Sequence, residues 1–359
     1  SAAPEAVLWL RIRVKGRSWA DLFDDEDGIA QVLVDLPAGL QSRVRAAQRF
    51  IVVREEDERV DAVMVTRMLT VGWSSISPVL VTDLDGLLFQ RVDGAMRGRA
   101  RLVGVHVVMV GLGSLGSVVA QALARAGVRR FTLFDPDIMR IENVCRHTAS
   151  LRDLHRPKVE VVRDQILAVS PSAEVVAIPR YMVWDDPQFG AGVELEEIWQ
   201  APERVVTVVT CAVGELEQAL NVAAVRAGVP VVYAAVLGAG AHGRVLRVVP
   251  GETPCLACIL AAQATQPERF PKFALPGVPS GADYDAPHLP GLGIDVGQVA
   301  LLTARLVLET ALPGDADLPA TVGGDHIVWS NHGGWIFDHP LQRRIERVER
   351  DPVCSVCGT

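Results

Sequence analysis

No apolar run in this chain of 359 residues approaches the ~18 residues that a membrane-spanning helix needs. The longest, such as Val205 to Val213, is broken by two threonines. No secretory leader opens the sequence. Basic residues are not in excess either: 35 Lys and Arg stand against 43 Asp and Glu, for a net charge of -8. That balance argues against a nucleic-acid binder that works through a general basic surface. Together these absences predict a soluble, cytoplasmic protein with neither a membrane nor a nucleic acid as partner. The opening Ser-Ala-Ala-Pro lacks an initiator Met and reads as a tag remnant or as the start of a fragment. What remains is a globular composition, 49% hydrophobic and 22% charged, long enough for about two domains.

Cysteine is scarce, with six in all, yet four of them fall into two C-x-x-C pairs: Cys255 with Cys258, and Cys354 with Cys357. Two such knuckles supply the four thiolates of a closed, tetrahedral zinc site even when far apart in sequence. A zinc here would staple the tail to the middle of the chain and leave no position open for water or substrate. Two disulfides are the rival reading, which the intracellular character of the chain opposes.

Residues 1–95 differ in texture from the rest. Val7 to Val14 alternates like a strand, Ser18 to Phe23 suits a short helix, and Phe50 to Val53 and Asp61 to Val65 read as further strands. This predicts a small N-terminal α/β appendage. From residue 96 to 359 the pattern changes. The apolar run Leu102 to Val110 ends in Gly111-Leu112-Gly113-Ser114-Leu115-Gly116, followed by a helix-period stretch and a second strand, Arg130 to Phe134. Strand, glycine turn, helix and strand make a βαβ unit. Strands at Glu174 to Ile178, Val205 to Val209 and Val229 to Ala234 then alternate with helices near Val159 to Val169 and Leu216 to Ala227. The prediction is a doubly wound, Rossmann-like α/β fold with a parallel-to-mixed sheet and a zinc-stapled C-terminal part. A Pro- and Gly-rich stretch at about 265–295 reads as a crossover loop, and Gly297 to Leu312 as an amphipathic helix.

In the glycine motif, Gly111 makes the tight turn, Gly113 lets the backbone approach a phosphate, and Gly116 lets helix and strand pack closely. The helix beyond offers unpaired N–H groups to an anion. Asp135 and Asp137 follow the second strand, where an acid takes ribose hydroxyls. To this point a nicotinamide dehydrogenase fits equally well. Asn143, Arg146 and Lys158 separate the readings. Hydride transfer needs no pair of cations there, whereas a triphosphate does, and Arg and Lys would neutralise charge as a carboxylate attacks the α-phosphate.

In these residues the chain resembles the ThiF/MoeB/HesA superfamily of ubiquitin-activating-type adenylating enzymes. The resemblance runs from about Arg99 to the end: the glycine loop, Asp135-x-Asp137, Asn143-x-x-Arg146, Lys158 after Arg-Pro, and both cysteine pairs. Arg146-His147, where thiamin and molybdopterin members usually carry Arg-Gln, is similar to bacterial activating modules fused to ubiquitin-conjugating-type domains. The resemblance implies ATP and Mg²⁺ as cofactors beside the structural Zn²⁺. It implies a ubiquitin-like protein whose C-terminal carboxylate is adenylated, with a thioester step in some members. It places Asp135 on the ribose, and Asn143, Arg146 and Lys158 around the phosphates. It also implies a homodimer in which an arginine upstream of the glycine strand reaches the partner's phosphates; Arg91, Arg97 and Arg99 are candidates.

Two departures stand out. Counting back from Asn221 places Ala212 where many relatives carry a magnesium-binding Asp. No cysteine falls in residues 259–353, so only Cys145 and Cys211 are left to form a thioester; Cys211 reads as a small buried hydrophobe, whereas Cys145 is flanked by Arg146 and His147. Adenylation of a short precursor peptide, as in the microcin-type enzymes, is therefore an alternative, with residues 1–95 gripping the peptide. A non-catalytic nucleotide-binding partner subunit is another. His326, His332 and His339, with Asp325 and Asp338, read as local hydrogen-bonding groups before they read as a second metal site.

Overall fold

A computed structural model of the chain describes residues 8–12, 49–56, 59–68, 72–79, 84–183, 191–211, 213–268, 291–314, 318 and 321–358. It divides into two compact units, Ser1–Leu87 and Leu88–Thr359. The first holds a four-stranded sheet, β1 (Leu8–Ile12), β2 (Arg49–Glu56), β3 (Arg59–Met68) and β4 (Gly72–Val79), in that spatial order. β1 lies parallel to β2, and the other pairings are antiparallel. Three of these strands coincide with the apolar alternations of the sequence. β4, GWSSISPV, was hidden by its serines and proline. The helix expected at Ser18 to Phe23 lies outside the described residues.

The second unit is built on an eight-stranded sheet. After the helix α1 (Leu84–Ala95) and a 3-10 segment, Arg97–Gly104, come β5 (Val105–Val110), α2 (Ser114–Ala126), β6 (Arg130–Phe134), α3 (Lys158–Val169) and β7 (Glu174–Ile178). Then follow α4 (Gly192–Trp199), β8 (Arg204–Val209), α5 (Gly214–Ala227), β9 (Val231–Leu237), β10 (His242–Val248), α6 (Leu256–Thr265), α7 (Gly293–Ala311), β11 (His326–Ser330) and β12 (Gln342–Ile345). The spatial order is β12-β11-β10-β9-β8-β5-β6-β7. β7, β6, β5, β8 and β9 run parallel, whereas β10, β11 and β12 pair antiparallel. The expected doubly wound, parallel-to-mixed sheet is therefore present.

Both faces are covered, so the central strands are apolar throughout rather than alternating. β5 is buried at all six positions and splits its side chains between two cores. Val107 and Met109 join the core with α2, α3 and α7, while Val108 and Val110 join the core that contains Cys255, Cys258 and Cys357. The chain passes from β5 outward through β6 to β7, then returns to lay β8 on the other side of β5. β5 and β8 thus flank a topological switch point, the place where open α/β sheets bind ligands at the carboxyl ends of the strands. Most of the expected crossover loop, residues 269–290, lies outside the described residues; α6 ends at Thr265, where the loop is expected to begin, whereas α7 already starts at Gly293, just inside its expected far edge. No helix among the described residues is long and apolar enough to cross a membrane.

Candidate functional site

At the switch point the three motif glycines have separate physical reasons. Gly111 leaves β5 with φ +93, and a Cβ there would lie 2.7 Å from the Cys211 nitrogen. At Gly116 a Cβ would lie 2.2 Å from the Gly111 carbonyl oxygen and 2.5 Å from Thr210 Oγ1, whose hydroxyl donates to that same carbonyl at 2.7 Å. These two glycines let α2 seat against the ends of β5 and β8. Gly113 differs: a Cβ there meets nothing within 4 Å. The backbone before the first turn of α2 therefore borders open space, where an anion can approach the helix N-terminus.

Asp135 directly follows β6 and is 7% exposed. One carboxylate oxygen accepts from the Leu112 N–H at 2.6 Å, the other from the Asp137 N–H at 2.9 Å. Burial raises its pKa, against the pull of Lys158 and these two amides. Asp135 therefore braces the glycine loop. Lys158, at the start of α3, is 8% exposed; its Nζ donates to Asp137 Oδ2 at 2.7 Å and its backbone N–H to the Asp137 carbonyl at 2.9 Å. Lys158 is thus a buried cation whose ion-pair partner is one half-exposed carboxylate.

Asn143 and Arg146 lie on the turn between β6 and α3. Asn143 Oδ1 accepts from the Arg140 N–H at 3.1 Å. Arg146 is half-buried against the segment that opens α7: a Cβ on Gly291 would lie 3.4 Å from Arg146 Nη1, and one on Gly293 3.3 Å from Arg146 Cα. The fold thus gathers the glycine loop, Asp135, Asp137 and Lys158 through direct contacts, and sets Asn143 and Arg146 on the adjoining turn beside the exit of the crossover segment. Position 212, the alanine where an acid was expected, lies outside the described residues.

Of the two cysteines outside the pairs, Cys211 is pushed up to about 11, chiefly by burial, as a small buried hydrophobe would be. Cys145 is exposed and its thiol donates to the Glu142 carbonyl at 3.4 Å. His147 lends it no charge. Burial brings that imidazole down to about 4, and the ring turns away into the glycine loop, a contact that no spacing of residues signals.

Among the arginine candidates, Arg99 is committed within its own chain. It pairs with Asp93 through Nε at 2.5 Å and Nη2 at 3.1 Å, lies over the Phe89 ring, and packs against Gly127. Gly127 caps the far end of α2, ~20 Å from the glycine loop by the rise of a 13-residue helix. Arg91 is exposed, and the Arg97 side chain lies outside the described residues.

The cysteine pairs converge. Cys255 and Cys258 Sγ lie 3.9 Å apart, Cys255 and Cys354 3.7 Å, Cys258 and Cys357 3.4 Å. All four ligand atoms fall within 4.8 Å of one another. Four sulfurs at the zinc–thiolate bond length form a tetrahedron with edges of about 3.8 Å, so the cluster fits one metal ion and not two covalent S–S bonds of about 2 Å. Cys258 is pushed up to about 12, mainly by burial, a cost that a divalent cation among the thiolates offsets. Asn221 Oδ1 on α5 accepts from the Leu256 N–H at 3.0 Å, and the Arg350 guanidinium donates to the Cys357 carbonyl at 2.6 Å and to the Gly251 carbonyl at 2.9 Å. Among the described residues no other group of three or more His, Cys, Asp or Glu is placed to hold a metal. His332 donates instead to Asp295 at 2.7 Å, and His326 is buried in β11.

A family model described as the ThiF family matches residues 87–323. The chain is 30% identical over 169 residues to the sulfur carrier protein ThiS adenylyltransferase of Bacillus subtilis (strain 168), covering 46% of each chain. With the Escherichia coli (strain K12) protein of the same name it shares 28% identity, covering 53% of this chain and 72% of that one. With the vegetative HesA protein of Trichormus variabilis it shares 27% over 72% of this chain and 83% of that one. The chain thus spans about half the length of the first of these relatives. Its fold is similar to that of E. coli MccB solved with ATP, with a TM-score of 0.53 at 21% identity, covering 73% of this chain and 69% of that one.

Proposed function

The chain belongs to the ThiF family, and on that footing we propose that it adenylates the C-terminal carboxylate of a ubiquitin-like or sulfur-carrier protein at the expense of ATP. The observation that carries this reading is the open space at Gly113, bordered by a helix N-terminus and served by the buried Lys158. In the proposed step a carboxylate oxygen of the partner forms a bond to the α-phosphorus. The bond from that phosphorus to the bridging oxygen breaks, and pyrophosphate leaves with the electron pair. Gly113 and the first amides of α2 hold phosphate oxygens. Lys158 and Arg146 oppose the negative charge that grows in the transition state, Asn143 orients the same oxygens, and Asp135 and Asp137 face the ribose. A Mg²⁺ ion would take most of its ligands from the triphosphate itself. The four cysteines would hold zinc as a closed structural site, outside the chemistry.

The test is exchange of labelled pyrophosphate into ATP with a glycine-ended carrier present. Lys158→Ala is expected to cut the rate by about 10²- to 10³-fold, and an unchanged rate removes Lys158 from the mechanism. A short precursor peptide is the second reading, supported by the separate compact unit that precedes the catalytic sheet. Homodimerisation, with Arg91 or Arg97 reaching the partner copy, and a cytoplasmic location complete the proposal. A thioester step or a fused conjugating domain belongs to it only if Cys145 proves nucleophilic.

A further inference from the structure

The glycine loop presents a difficulty that its motif does not solve. A backbone without a Cβ at position 113 admits a phosphate, but the same freedom lets the Leu112–Gly113 peptide rotate. In this chain that peptide is pinned. His147 Nε2 lies 2.8 Å from the Leu112 carbonyl oxygen, and His147 Nδ1 accepts from the Ala149 N–H at 2.9 Å. The amide can only donate and the carbonyl can only accept, so the two partners force one neutral tautomer, with the proton on Nε2. The imidazole is 8% exposed and follows directly on Arg146.

C=O and N–H point in opposite directions across a trans peptide. Holding the Leu112 carbonyl toward His147 therefore aims the Gly113 N–H the other way, and among the described residues that N–H has no acceptor. Asp135 fixes the preceding peptide through the Leu112 N–H at 2.6 Å. Leu112 is thus clamped on both sides, by a carboxylate on its N–H and an imidazole on its C=O. We infer that His147 is a positioning residue for nucleotide binding: its Nε2–H, by holding the Leu112 carbonyl, aims the Gly113 N–H at a phosphate oxygen of ATP. This deepens the proposed function and rests on that reading.

Two variants of the full chain test it. His147→Leu fills the same space without donor or acceptor and leaves a buried carbonyl and amide unpaired. In His147→Gln the carboxamide can donate to Leu112 and accept from Ala149. ATP affinity is read by calorimetric titration, and KM for ATP and for the carrier by pyrophosphate exchange. For His147→Leu we expect ATP affinity to fall about tenfold or more, with KM for ATP rising and KM for the carrier unchanged. His147→Gln should return to within about threefold of the original chain. If His147→Leu binds ATP as the original does, or if a folded His147→Gln is as weak as His147→Leu, the inference is wrong while the adenylation proposal stands. An original chain that binds ATP but exchanges pyrophosphate with no carboxylate partner overturns the function and leaves the positioning role intact. One that binds no ATP overturns both.

Discussion

The glycine turn, set against the ends of β5 and β8, and the cysteine cluster, set in the second core, are built on opposite principles. The cluster is made of four identical side chains that need only converge, to within 4.8 Å, for a metal to bridge them. The turn is made mostly of backbone and of space, and there one residue type does unlike jobs. Gly111 and Gly116 are glycines because protein fills their surroundings; Gly113 is a glycine with nothing around it. A motif made of side chains announces its chemistry. One made of missing side chains has to be read with its neighbours in place.

The largest effect should come from the cluster. Stripping the metal, or Cys258→Ser, leaves buried thiols without their cation and forfeits a binding energy of ~10 kcal/mol or more. Metal analysis should find about one zinc per chain, and a thermal melt should show the second core lost without it. A metal-free chain that melts at the same temperature would reduce the cluster to an ornament of the fold. Next comes Gly116→Ala, whose added methyl must displace the Gly111 carbonyl at 2.2 Å. We expect about 2–3 kcal/mol of lost stability in denaturant titration, whether or not ATP is present.

Acid comes third. Burial holds His106, His147 and His326 down to about 4, against an ordinary value of 6.5. As the pH falls below about 6.5 the unfolded chain takes up protons that the folded chain refuses. Stability is therefore complete above that pH and is lost progressively toward pH 4, by roughly 2 kcal/mol or more. Melting temperature against pH measures this, and a flat profile would contradict the neutral, buried His147 on which the loop's clamp depends. The smallest effect on stability should be that of Gly113→Ala, below ~1 kcal/mol, yet ATP affinity should fall about tenfold because the methyl occupies the phosphate's approach. If Gly113→Ala and Gly116→Ala behave alike, the distinction between space kept for the fold and space kept for the ligand disappears.

Several parts of this were legible in residue order. β6 and β7 coincide with the expected strands residue for residue, because each is a short stretch of mostly β-branched and aromatic residues; β6 is buried at four of its five positions, whereas β7 lies at the sheet edge and is only partly covered. The cysteine spacing foretold a metal-sized cluster. β10 did not stand out, since Arg244 and Arg247 interrupt its apolar pattern; both find acids only in the folded chain, on Glu217 of α5 and on Asp325 just before β11. Arg99 could not be separated from Arg91 by proximity to the glycine strand, and its pairing with Asp93 came from a helix turn that composition alone does not orient. His147 was visible only as a neighbour of Arg146. Its bond to Leu112 spans 35 positions of sequence.

Residue order by itself determined the βαβ unit, the class of ligand that a glycine turn with downstream cations suits, and the sulfur set for a metal, because each depends on local periodicity or on the chemistry of a few side chains. Only the tertiary structure decided which glycine is empty-sided, which arginine is already engaged, and which imidazole holds the loop. Those are questions of direction and occupancy, and a hydrogen bond or a void has neither until distant segments are brought together.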